Sequence, residues 1–134
     1  MGVKREPITY KGRSFGIMIL ASAQILIGVI HAIFGFLLLA SENSFLKATV
    51  AYDFYTIAFG LLVLVFAVFI WRGKKIGWSG TIVVSVFVSV ADVLALMGLP
   101  SIPGIPKFAA PTEIAYSVFV VFYLFLPHVK KKFT

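Results

Sequence analysis

Residues 15–40 form a 26-residue run without one Asp, Glu, Lys or Arg. Nothing else in the chain restricts its fold so strongly. About 20 apolar residues cross the hydrocarbon core of a bilayer as a helix. In lipid every backbone N–H and C=O must find a partner within the protein, so only helices and closed barrels span. A barrel needs strands of about ten residues that alternate in polarity, and this run does not alternate. Three further apolar runs follow, at 50–71, 77–99 and 112–126. The first three are long enough to cross, the first with some tilt or protrusion. The fourth is short by about five residues unless it continues past Pro127. The expected fold is all-α: an integral membrane four-helix bundle forming a single domain over residues 1–134.

Composition supports lipid as the main solvent. Hydrophobic residues make up 60 % of the chain and charged residues 13 %. Soluble domains are about half apolar and a quarter charged, and a chain of this size cannot bury so large an excess. The net charge of +7 lies between the apolar runs rather than along one face. That pattern suits anionic lipid headgroups and argues against nucleic acid as a partner. The absence of cysteine excludes disulfides, thiol redox chemistry, iron–sulfur clusters and Cys-zinc sites. The basic start at 4–13 precedes an apolar run longer than the roughly 7–15 residues of a signal-peptide core, so the run reads as a retained span.

The loops set an orientation. Lys4, Arg5, Lys11 and Arg13 precede the first span, Arg72, Lys74 and Lys75 join the second to the third, and Lys130, Lys131 and Lys132 follow the fourth. Only Lys47 and Lys107 lie on the other side. The positive-inside rule then places both termini in the cytoplasm of a multi-pass cell-membrane protein. Trp71 and Trp78 bracket the basic loop as headgroup-layer anchors. Ser44 is an expected helix N-cap, and Pro111 fits a first helical turn. Pro100, Pro103 and Pro106 recur every third residue, which favours an extended, polyproline-like loop.

Polar residues inside the spans fall on stripes. Gln24, Gly28, His31 and Gly35 repeat at helical spacing, as do Thr81, Ser85, Ser89 and Asp92, and Asp53, Thr56 and Gly60 in the second span. Small residues let membrane helices approach, and polar ones bond between them. The expected bundle has a polar seam, with Gly28, Gly35 and Gly60 as packing positions. Counted from Gly16 and Gly77, His31 and Asp92 stand at equal depth, about 22 Å along each axis. They are therefore expected as an intramembrane pair, close enough to hydrogen-bond directly or through one water. Asp53, Glu113, Tyr55 and Tyr116 are expected nearby. An ionised Asp at mid-span costs about 2.5–3.5 kcal/mol on insertion scales. Asp92 can avoid that cost by carrying a proton or by pairing with His31.

No phosphate loop, nucleophile elbow or His-Glu zinc motif is present, so no catalytic residue is assigned. No cofactor is expected. His31 and His128 lie at opposite depths, so one chain cannot ligate haem through two histidines. A divalent ion among His31, Asp92, Asp53 and Glu113 is the less favoured reading, and no metal site is assigned. The segments "RSFGIMILASAQILIGVIHAIFG", "LVFAVFIWRGKKIGWSGTIVVSVF" and "VFYLFLPHVKKKF" resemble a broad group of small, uncharacterised four-span membrane proteins of archaea and bacteria. Tyr123, Leu124, Pro127, Val129 and Lys130 carry the closing motif. The resemblance implies a fold and no activity. The Cys-free, Ile/Val/Phe-rich composition also suits a thermophilic archaeon. Two functions are expected in order. The first is a non-catalytic subunit or assembly factor of a larger membrane complex, a respiratory one among the candidates, with other membrane subunits as partners. The alternative is a small proton-coupled transporter built on His31 and Asp92.

Overall fold

The computed structural model describes residues 9–10, 13–40 and 47–133. A two-residue antiparallel ladder, β1 (Thr9–Tyr10) with β2 (Arg13–Ser14), leads into the helices. These are α1 (Phe15–Ala40), α2 (Lys47–Trp71), α3 (Lys75–Leu96), α4 (Ala110–Phe125) and the single turn α5 (Pro127–Lys130). In α1, in α3 and over Val50–Trp71 of α2, helix is long and apolar enough to cross a membrane, which is the signature of a membrane protein. The 16 residues of α4 are fewer than a crossing helix needs. Outward-facing Leu37, Val83 and Phe122 are each about two-thirds exposed. A helix apolar on every side has no preferred wet face.

Each helix packs on the next in chain order, α1 on α2, α2 on α3 and α3 on α4. Contacts pair the start of each with the end of its neighbour, so successive helices run antiparallel. The tightest crossing joins α1 to α2. A Cβ placed on Gly60 would lie 2.6 Å from the Ala32 nitrogen and 2.7 Å from the Gly28 oxygen. Gly28 faces Gly60 and Leu64, and Gly35 meets the backbone of Ile57 and Asp53 farther along the same seam. The missing side chains let the two backbones approach to van der Waals distance.

The helix ends follow local rules. Gly73 and Gly98 have φ of 69° and 71°. At the first, Lys74 N–H donates to Phe69 O and Gly73 N–H to Ile70 O. At the second, Leu99 N–H donates to Leu94 O and Gly98 N–H to Ala95 O. Both are Schellman closures, which place a glycine in the left-handed region at minimal steric cost. Pro127 offers no N–H, so α4 stops at Phe125. The Leu124 carbonyl accepts instead from the Trp78 indole N–H at 2.9 Å. That bond pins α3 to α4 at the basic end. There Phe125 stands edge-on to Trp78 and the Lys130 ammonium lies 5.8 Å from the ring. The chain then folds back, and Val129 and Phe133 bury against Ile17, Leu20, Ala21, Ile70, Val120 and Leu124. This cluster closes the basic end with carbon.

The loop between α3 and α4 departs from the extended path that its proline spacing favours. It makes turns, with Gly104 at φ 90°. Ile105 is buried, and Ser101 Oγ donates to Ala91 O at 2.7 Å. Burying Ile105 and satisfying the Ser101 hydroxyl outweigh a preference that carries no internal hydrogen bonds. Pro111 falls in the first turn of α4 as expected. The expected cap Ser44 and the basic residues Lys4, Arg5 and Lys11 lie outside the described residues.

Candidate functional site

The end of the bundle away from the basic loop holds the polar cluster. All four long helices contribute to it. His31 comes from α1. Its Nδ1 lies 2.8 Å from Ile27 O, which fits an N–H donating one turn back along the helix. That bond orients the ring so that Nε2 faces α4, 3.7 Å from Glu113 Oε1. Phe59 of α2 supports the ring edge-on at 5.0 Å. Phe59 stands beside Gly60, so the glycine crossing brings these two rings together.

Glu113 sits in the first turn of α4. A carboxylate there also faces the positive end of the helix dipole. The same carboxyl is the group that engages Asp92 of α3. Asp92 is 1 % exposed, and no amide, hydroxyl or imidazole donor is bonded to either of its oxygens, which leaves the Glu113 carboxyl as its neighbour. Tyr55 of α2 stacks beside Phe59 with ring centroids 6.3 Å apart. Glu113 is thus the member that links the cluster. His31 and Asp92 are not joined by a hydrogen bond, and the side chain facing the imidazole is Glu113 rather than Asp92.

The helix register accounts for this arrangement. His31 shares one cavity with Val88 and Glu113, while Gln24 shares another with Thr81 and Ser85. Asp92 lies four residues beyond Val88, about 6 Å farther along α3. Glu113 engages both His31 and Asp92. Moreover, α1 and α3 each pack on α2, so their relative height follows from two separate crossings.

The other seam residues are distributed as follows. Gln24, Asp53, Thr56, Thr81 and Ser85 are buried, and Ser89, Glu113 and Tyr116 are half-buried. Thr56 partners Tyr52 one turn back. Tyr116 and Ser117 line the cavity beside His31 and Glu113. That cavity measures about 240 Å³, with Ile27, Phe59 and Val88 as its apolar walls. The backbones of α1 and α4 do not pack closely, and long side chains bridge the space between them. Ser117 and Phe59 were not anticipated. The spacing of Glu113, Tyr116, Ser117, Val120 and Leu124 marks one helical face and could have revealed Ser117. Nothing local singles out Phe59 among so many phenylalanines. Among the described residues no three His, Asp or Glu side chains are placed to hold a metal ion.

Comparison with protein-family models, curated proteins and solved structures returns no match. The functional reading therefore rests on the geometry.

Proposed function

We propose that the chain is a four-span protein of the cell membrane with both termini cytoplasmic, and that it works as a small proton-coupled carrier. The observation that carries this reading is Asp92. A residue kept to lock helix register would be met by hydrogen-bond donors, whereas this buried carboxyl is met by none and engages a second carboxyl instead. Ionisable groups inside membrane helices mark proton or solute pathways by default. Next to Asp92 stands a second carboxyl, Glu113, which is held against an imidazole beside a cavity large enough for a small solute. These groups can exchange a proton among themselves.

The test is transport by the reconstituted chain. Proton-coupled uptake into vesicles should be abolished by Asp92→Asn, which keeps shape and removes charge. Glu113→Gln should reduce uptake, and should add nothing in the Asp92→Asn background, as coupled groups require. Full uptake by Asp92→Asn would remove the mechanism. The second reading, a subunit of a larger membrane complex, draws on Phe108. This phenyl is 88 % exposed on the loop beyond the helices, where a partner could cover it. Under that reading, mild detergent should extract an assembly much heavier than the chain, and Phe108→Ser should dissociate it.

A further inference from the structure

Below the acidic cluster, toward the basic end, three helices leave buried polar atoms facing a second and much smaller cavity. It measures about 20 Å³. Gln24 of α1, Thr81 and Ser85 of α3, and Tyr116 and Ser117 of α4 line it, and Phe66 of α2 helps to wall it. Gln24, Thr81, Ser85 and Ser117 are each at least nine-tenths buried. Three atoms in this wall lack any hydrogen-bond partner: Gln24 Oε1, Thr81 Oγ1 and the Tyr116 hydroxyl oxygen. Buried polar atoms in native proteins are almost always satisfied, and apart from the Asp92 oxygens the unsatisfied ones among the described residues belong to side chains around this one space. A water needs at least about 10–15 Å³ and typically makes about three hydrogen bonds. The cavity is therefore the size of one water, and it offers that water three partners.

We propose that this cavity is a built site for one water, bridging Gln24, Thr81 and Tyr116. The water donates one hydrogen to Gln24 Oε1, which can only accept. It accepts from the Thr81 and Tyr116 hydroxyls, or donates its second hydrogen to one of them. The bridge ties α1, α3 and α4 together where α1 and α4 do not pack closely through their backbones. Tyr116 and Ser117 line both cavities, so the site adjoins the larger one beside His31 and Glu113. The site stands on geometry alone and does not require the carrier reading. If the chain is a carrier, this water is the next station for a proton leaving Glu113.

Radiolytic hydroxyl labelling of the full chain in lipid nanodiscs tests the site, because radicals form at bound water and mark the nearest side chain. After correction for intrinsic reactivity, Tyr116 should label several-fold faster than Phe133, whose ring is buried in the carbon cluster. Thr81→Val and Gln24→Met each remove one partner while keeping volume, and each should lower Tyr116 labelling several-fold. Thr81→Ser restores the hydroxyl and should keep it. Tyr116 labelling at the Phe133 level in the unmodified chain would overturn the proposal even if no variant folds. Labelling that both apolar variants leave unchanged would overturn it as well. A chain that labels as expected but transports nothing would retain the water site and lose the carrier reading.

Discussion

Gly60→Ala tests the crossing on which the site is built. The added Cβ would lie 2.6 Å from the Ala32 nitrogen and 3.1 Å from its Cα, against 3.4 Å for ordinary contact. The obstruction is backbone, so no side-chain rotation relieves it. The helices must part by about 0.8 Å, the gap between 2.6 and 3.4 Å. Overpacking of this kind costs about 1–3 kcal/mol. Alanine's better helix propensity returns up to about 1 kcal/mol. The net expectation is a loss of about 1–2 kcal/mol. It is measured as a shift in reversible unfolding in mixed detergent–lipid micelles. Ala58→Leu, on an exposed face of the same helix, should change little. Ala32→Gly should not rescue Gly60→Ala, because the clash is with nitrogen and Cα rather than with the Ala32 methyl. A Gly60→Ala chain as stable as the original would refute the close crossing. It would also remove the account of how Phe59 meets His31.

Trp78→Phe keeps a ring beside Phe125 and Lys130 but removes the indole N–H that satisfies Leu124 O. It should destabilise by about 1–3 kcal/mol, the usual cost of stranding a buried acceptor, read by the same unfolding assay; no change would mean that the carbonyl is solvated. Gly98→Ala forces a Cβ into a backbone at φ 71° where nothing lies within 4 Å. It should cost about 1–2 kcal/mol through backbone conformation alone, with Gly98→Asn intermediate; equal stability of all three would contradict the left-handed closure. For topology, a reporter after residue 134 should read as cytoplasmic and a tag in the 101–107 loop as external. A tag that stays protected in intact, wall-stripped cells would reverse the orientation drawn from the basic residues.

Much of the architecture follows from short-range chemistry and is legible in the chain itself. The expected first span, 15–40, coincides with α1, and the other apolar runs contain or overlap α2, α3 and α4 within three residues at each end. These limits are set by length in lipid, by glycine closures and by Pro127, all of which act within a few residues. The packing positions Gly28, Gly35 and Gly60 are legible for the same reason, since small residues at helical spacing define a face before any partner is known. The partner of His31 is different. Facing residues on separate helices are selected by the height at which each helix rests on its neighbour. That height depends on the Gly28–Gly60 crossing, on the Trp78–Leu124 bond and on a loop that folds rather than extends. None of these is local, so no count along one helix could reveal that Glu113, from another helix, faces the imidazole. The helices were determined by the sequence read in windows. The acidic cluster, its buried carboxyl and the water-sized cavity beneath it exist only because tertiary packing sets four registers against one another.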